Sequence, residues 1–400
     1  ARSIQNFITN SRWDLDYLKR LYVKLVIDEI GVPGGAFIFD DAEEKKSGYW
    51  SPGTGAQFDG PDGQTARALA AQVLQYFGGE GLGWALVDIR LYLPKYWFPA
   101  GPAELADPDE SAKYAKFADK RKARRIPEEI VFRAKNQICS DMLIKAYNEG
   151  VFPAKWVLFG AFLGHEKAFI DSIPKELFYF GGVHCDDKFY TETPTFSIPE
   201  KKEGGGRNPK NMAPSFSPLK AEEIVANDPT PWRSVEFGLG SNGPLLWDEK
   251  LIRVIEIRED DKPGGRIWLY AKKFKNGAVK YQISNAPEDT PLEEIRKVST
   301  LRRAIEQNFK ECKSGLGMDQ FEGRTWDGWH RHMTMTMLTH FFLLLMRKVF
   351  SVNIEDLSEK GRKTYEYLPS IGQDRVAKDG PLSQAFRAMI EDKNQCQDQD

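Results

Sequence analysis

From Leu292 to Lys313 the sequence specifies a helix with two opposed faces, and any fold for this chain must bury one of them. Leu292, Ile295, Val298, Leu301, Ile305 and Phe309 recur at steps of three and four, the spacing that lines apolar side chains along one face. Arg302, Glu306, Lys310 and Lys313 fall at i, i+4, i+8 and i+11, so the other stripe holds one carboxylate among three cations. By spacing alone this is a solvated, salt-bridged face. The segment EGRTWDGWHRH, Glu322 to His332, follows at once. It combines a loop glycine, two tryptophans, two arginines and two histidines, an unusual composition for a passive connection.

The totals narrow the possibilities. Four hundred residues exceed one ordinary core, although a mixed α/β domain with a large insertion accommodates them. A formal charge of -2 gives no global signal for nucleic acid, so binding to it requires a local basic patch. Cys139, Cys185, Cys312 and Cys396 lack CxxC spacing, which argues for reduced thiols in a cytosolic setting and against a zinc module or disulfide framework. No apolar run reaches membrane-spanning length; MTMTMLTHFFLLLM, Met333 to Met346, is interrupted by His340 and reads as a buried helix. No signal peptide is visible.

Trp13 to Ile30 reads as a helix, with Leu15, Leu18, Leu21, Leu25 and Val26 apolar and Asn10 or Ser11 placed to cap it. Ala36-Phe37-Ile38-Phe39 is a short apolar run ending in Asp40-Asp41, the pattern of a buried central strand that delivers carboxylates at its end. Such a pair also serves as a turn or cap. RALAAQVLQYF, from Arg67, has helical propensity. GGEGLG, Gly78 to Gly83, precedes the strand-like WALVDIRLYLP instead of opening a helix, which excludes a dinucleotide loop. The basic run KRKARR, Lys120 to Arg125, fits either a solvated loop or a phosphate contact. It stands before Ile126-Pro127-Glu128-Glu129, where proline and acids predict a helix start carrying FRAKNQICSDMLIKAYNEG. KWVLFGAFLG, Lys155 to Gly164, is a further strand.

Beyond Asp187 the segments SVEFGLG, LIRVIEIR, RIWLYAKKF and VKYQISN are strand candidates. The glycine-rich loop Glu200 to Asn211 reads as mobile. Trp326 to Phe350 predicts an apolar helix packed behind a sheet. His330 and His332 are two apart and point to different faces, which argues against a shared metal. His184-Cys185-Asp186-Asp187 lacks metal spacing and fits a strand-end turn, and the tail from Asp392 reads as disordered.

The run IEQNFKECKSGLG followed by EGRTWDGWHRH resembles the glutamate region of DDE transposases from bacterial insertion sequences, the group with a Tyr-Arg-Glu-Lys signature. Arg302, Glu306 and Lys313 fit that pattern, with Ser299 at the tyrosine position. The segment DDAEEKKSGYWSPGTGAQFDGPDG resembles the first-aspartate block. It places Asp40 at the first catalytic aspartate, keeps Lys45, Lys46, Ser51, Gln57 and Gly60 in frame, and puts Ala42 in place of a threonine. VDIRLYLPKYW, Val87 to Trp97, matches the strand that crosses the fold, and Lys135 stands at a shared lysine position. By the same resemblance the segment from Arg67 is a strand. KWVLFGAFLG aligns with the second-aspartate strand, but Gly160 falls where the aspartate stands, Phe159 replaces the alanine and Leu163 the tyrosine.

This resemblance implies a ribonuclease-H-like α/β fold, a mixed sheet flanked by helices and interrupted by a mainly β insertion before the last catalytic helix. The implied division is a helical segment 1–35, a first core part 36–186, the insertion 187–287, core helices 288–352 and an extension 353–400. Asp40 and Glu306 would be the catalytic, metal-binding pair for Mg2+ or Mn2+, with Lys45, Lys46, Arg302, Lys310, Lys313, Arg324, Trp326 and Trp329 gripping DNA. The implied partner is double-stranded DNA at transposon ends, bound by a homodimer in the cytoplasm and associated with the nucleoid. Additional helical, DNA-contacting sequence ahead of Ala1 is also implied. Losing the second aspartate implies impaired strand cleavage. The alternatives are an active divergent nuclease using a substitute carboxylate (Asp41, Asp88, Glu166, Asp186 or Asp187), or a non-catalytic DNA-binding regulator.

Overall fold

The computed structural model describes residues 6–8, 11, 13–59, 64–79, 82–148, 152–199, 211–240 and 243–350. Expectations concerning Gly60, most of Glu200 to Asn211, Cys396 and the extension 353–400 fall outside these.

Strand β1 (Gly35–Lys45) must lie between two layers, because Ala36, Phe37, Ile38 and Phe39 are all fully buried. Phe37 and Phe39 enter one core with Val26, Met142, Leu143 and Phe169, while Ala36 and Ile38 enter a second core with Ile295, Val298 and Ile305. This alternation is the period of two that a strand imposes. On one side β1 pairs antiparallel with β3 (Gln64–Gly79), which also pairs antiparallel with β2 (Gly55–Asp59) and β4 (Gly83–Leu91). On the other side β1 pairs parallel with β5 (Ala154–Phe159), which pairs parallel with β6 (Phe178–Val183). The order β4-β3-β1-β5-β6, with three antiparallel strands followed by two parallel ones, is the ribonuclease-H-like arrangement.

Four two-residue strands follow. β7 (Lys188–Phe189) pairs with β10 (Leu219–Lys220), and β8 (Phe196–Ser197) with β9 (Ala213–Pro214). The β-rich segment then adds β11 (Arg233–Gly240), β12 (Gly243–Ile257), β13 (Pro263–Phe274) and β14 (Val279–Ser284) to the same sheet, because β14 pairs antiparallel with β6.

One layer over the sheet contains α1 (Leu15–Ile30) and α4 (Lys135–Asn148), with α10 (Trp326–Phe350) against β4. Between α1 and α4 in sequence lie α2 (Pro102–Ala106) and α3 (Pro108–Ala123); α5 (Ala161–His165), α6 (Lys167–Ser172) and α7 (Ala221–Asn227) come later. The opposite layer contains α8 (Leu292–Leu301) and α9 (Arg303–Leu316). Among the described residues no helix is long and apolar enough to cross a membrane.

Three expectations need correction. The first helix begins at Leu15, capped by Asp14, whose Oδ1 accepts from the Tyr17 N–H at 2.8 Å. The amphipathic helix from Leu292 is two helices, because at Arg302 the turn tightens to an Ile305 N–H to Arg302 C=O link of 3.2 Å. Apolar spacing continues across this joint, so periodicity hides it. The run Lys120 to Arg125 ends α3, where cations complement the carbonyl end of the helix, and α4 starts only at Lys135. The segment from Arg67 is strand, as the resemblance implies, since burial between β1 and β4 overrides its helical propensity.

The five-residue helix α5 lies directly against β6. A Cβ added at Gly164 would come within 1.9 Å of the Gly182 carbonyl oxygen, and one at Gly182 within 2.9 Å of the Ala161 nitrogen. Because these obstacles are backbone, Gly164→Ala is expected to cost about 2 to 3 kcal/mol in urea unfolding. Gly265→Ala, with open space around the new methyl, should change stability by less than about 0.5 kcal/mol.

Candidate functional site

Strand register brings two distant positions together. Ile38 of β1 and Leu158 of β5 are parallel partners that share the α8/α9 core. Two residues on, the next positions of the same parity are Asp40 in β1 and Gly160, the N-cap of α5. Arg302, at the joint between α8 and α9, reaches both. Its Nη2 donates to Asp40 Oδ1 at 2.9 Å, and a Cβ placed on Gly160 would lie 2.9 Å from the same Nη2 and 3.1 Å from Cζ. The guanidinium therefore fills the space that a side chain at position 160 would enter.

The ion pair is only partly dry, with the Arg302 side chain 33% and the Asp40 side chain 22% exposed. Burial pushes the Asp40 carboxyl above the usual aspartate range. The Arg302 charge and hydrogen bond pull it back, and the Asp41 charge raises it again. The Asp41 N–H also donates to Asp40 Oδ1 at 3.1 Å. Arg302 Nε is buried without a hydrogen-bond partner.

The other residues singled out in the sequence are dispersed. Glu306 lies one helical turn beyond Arg302 on α9 and is exposed. Lys45 and Lys310 are exposed. Lys46 pairs with Glu44 and donates to the Phe321 carbonyl, tying the end of β1 to the segment before α10. Lys313 Nζ donates to the Glu43 carbonyl at 3.2 Å, which fastens α9 along β1. The Arg324 guanidinium lies 5.0 Å from the Trp50 ring centre. Trp326 packs its ring 4.2 Å from that of His330. Trp329 is 1% exposed within the main core, so it has no free face for a nucleobase.

Divalent-ion chemistry of the two-metal kind needs carboxylates from separate segments converging on one point. The residues present do not meet that requirement: among the described residues no group of three or more His, Cys, Asp or Glu side chains could hold a metal ion. Four of the five possible substitutes are held by partners of their own. Asp41 pairs with Lys135 at 3.0 Å, Asp88 with Arg90 at 2.8 Å and Asp187 with His165 at 2.9 Å, while Glu166 accepts from Asn136 at 2.6 Å. The fifth, Asp186, is exposed in the turn after β6. What remains at the centre is one carboxylate and one guanidinium, an arrangement that binds an anion or locks two elements together.

Sequence reasoning missed Glu44. Burial drives its carboxyl up to about 7, against the opposing effect of Lys46 and with help from Asp319 and Glu322. Within the charged run Glu43 to Lys46 no spacing signal distinguishes it from its neighbours.

A family model described as DDE superfamily endonuclease matches residues 1–244, a span that contains Asp40 and Gly160 but stops short of Arg302 and Glu306. No curated protein matches the chain. Among solved structures, the crystal structure of the NurA nuclease from Sulfolobus solfataricus aligns at 10% identity and a TM-score of 0.22, covering 72% of this chain and 80% of that one. At that score the superposition carries no argument.

Arg302→Met leaves the Asp40 carboxylate without its counter-charge, so the folded-state pKa, already raised, rises further. A raised carboxylate pKa favours folding at low pH and disfavours it as pH climbs through the folded value. The loss should therefore be about 1 to 2 kcal/mol near pH 8, discounted for partial exposure, and should shrink towards zero near pH 4. Urea unfolding at the two pH values measures this; a loss independent of pH would mean that Arg302 acts through packing alone.

Proposed function

The chain belongs to the DDE superfamily endonucleases, and from that premise we propose that it is a transposase-related DNA-binding protein whose cleavage centre is impaired. The observation that carries this reading is the Arg302 guanidinium, lying 2.9 Å from Asp40 and over Gly160, where the second carboxylate of the family would project. DDE nucleases typically depend on divalent ions, and two such ions activate the nucleophile and stabilise the leaving oxygen. Glycine at position 160 offers no carboxylate that would hold such an ion. The guanidinium also places a positive charge where a cation would bind. Together these remove several kcal/mol of transition-state stabilisation, as a rough magnitude.

The groups that hold DNA are independent of that defect. Lys45, Lys310 and Arg324 are exposed and can contact phosphates, and Glu306 sits among the cations of α9 as the remaining family carboxylate. Double-stranded DNA is the proposed partner, with transposon ends bound by two copies of the chain as the ancestral mode.

Nicking of supercoiled plasmid in Mg2+ or Mn2+ tests the proposal. The chain as it stands should cut no faster than its Glu306→Gln variant while still binding duplex DNA in a salt-sensitive manner. Gly160→Asp places a carboxylate in the guanidinium's space and is expected to gain cutting that Glu306→Gln abolishes. Efficient, Glu306-dependent cutting by the unaltered chain would overturn the impairment; failure to bind DNA at moderate salt would overturn the partner.

A further inference from the structure

The loop after β1 carries an exposed pair of aromatic residues. Tyr49 is 45% and Trp50 60% exposed, an uncommon disposition for side chains of that size. Both rings are flanked by cations. The Arg67 guanidinium lies 3.7 Å from the Tyr49 ring centre and Lys120 Nζ 4.7 Å from it; Arg124 and Arg324 lie 5.3 Å and 5.0 Å from the Trp50 ring centre.

Four separate segments build this patch, and hydrogen bonds to backbone carbonyls hold them together. Ser51 Oγ donates to the Gly323 carbonyl at 3.1 Å, the Trp326 N–H to the Arg124 carbonyl at 2.8 Å, and Arg67 Nη1 to the Ser47 carbonyl at 2.7 Å. The patch is therefore a fixed surface and not a chance meeting of mobile side chains.

Its electrostatics are uncompensated. Among the described residues Arg67, Lys120, Arg124 and Arg324 have no ion-pair partner. Arg124 is only 7% exposed, and its Nε and that of Arg67 are buried without a hydrogen-bond partner. Lys120 and Arg124 titrate below their ordinary values, first through burial and then because the cations crowd one another. A cluster of this kind is relieved by an anion.

A phosphate backbone supplies the anion, but duplex DNA keeps its base faces stacked and gives an exposed indole nothing to cover it. A strand with unpaired bases supplies both the charge and the π-face. We propose that Tyr49 and Trp50, with Arg67, Lys120, Arg124 and Arg324, form a stacking platform for single-stranded DNA. This rests on DNA being the partner and adds the single-stranded form at a surface distinct from the Asp40–Arg302 centre.

The test compares binding of fluorescein-labelled oligothymidylate, a duplex of equal length and inorganic polyphosphate by the whole chain. The variants are Trp50→Ala, Trp50→Phe and the double Arg124→Gln/Arg324→Gln. Trp50 is largely exposed, so its variants should fold, and circular dichroism checks this. Trp50→Ala should weaken oligothymidylate binding at least about fivefold while changing duplex and polyphosphate binding less than about twofold. Trp50→Phe should retain most of the single-strand affinity, and the double arginine variant should weaken all three. Equal effects of Trp50→Ala on the three probes, or none on oligothymidylate, would overturn the platform while leaving the duplex reading intact. Absence of all DNA binding by the unaltered chain would overturn both.

Discussion

The contact between Asp40 and Arg302 joins residues 262 positions apart and ties the central strand to the helices that cover one face of the sheet. A carboxylate set this deep requires either a counter-charge or a proton. Arg302 supplies the counter-charge, and Lys313 repeats the fastening further along β1 through the Glu43 carbonyl. These two attachments, one at the joint before α9 and one near its end, determine how this helix crosses the sheet. Glu306 is exposed because Ile305, Asn308 and Cys312 form the inward face of α9.

Much of this architecture is legible in the residues. The fully apolar Ala36 to Phe39 could only be a strand covered on both faces, and the four strand candidates beyond Arg233 all pair. Other features depend on relations that spacing does not carry. The joint at Arg302 leaves the apolar period undisturbed. The strand from Arg67 has alanine-rich local chemistry, and only its position between β1 and β4 makes it extended. The candidate centre was half legible: Asp40, Gly160 and Arg302 each drew notice, but their convergence required the register of two parallel strands. Glu44 and the Tyr49–Trp50 surface were not legible, because burial and the meeting of four segments are properties of the folded chain.

The β-rich segment shows how an insertion can enlarge a domain without making a second core. Its last strand pairs with β6, so the sheet continues outward through β13, β12 and β11. The added layer brings its own buried charges in matched sets. Arg296 of α8 donates to Glu249 of β12 at 2.7 Å, and the Tyr270 hydroxyl donates to the same carboxylate at 2.7 Å. The helix that leads into Arg302 is thereby anchored on inserted strands as well as on the original sheet.

Gly160 brings backbone and no side chain to this centre. Its backbone caps α5, and α5 rests on Gly182 of β6, so the position is firmly held. What stands in the way of a carboxylate there is the far end of a flexible arginine, which can swing aside without refolding. Filling the position is thus a shallow change in structural terms. A side chain introduced at position 160 therefore has to displace one guanidinium, the group nearest to it, while strand register and helix seating stay as they are.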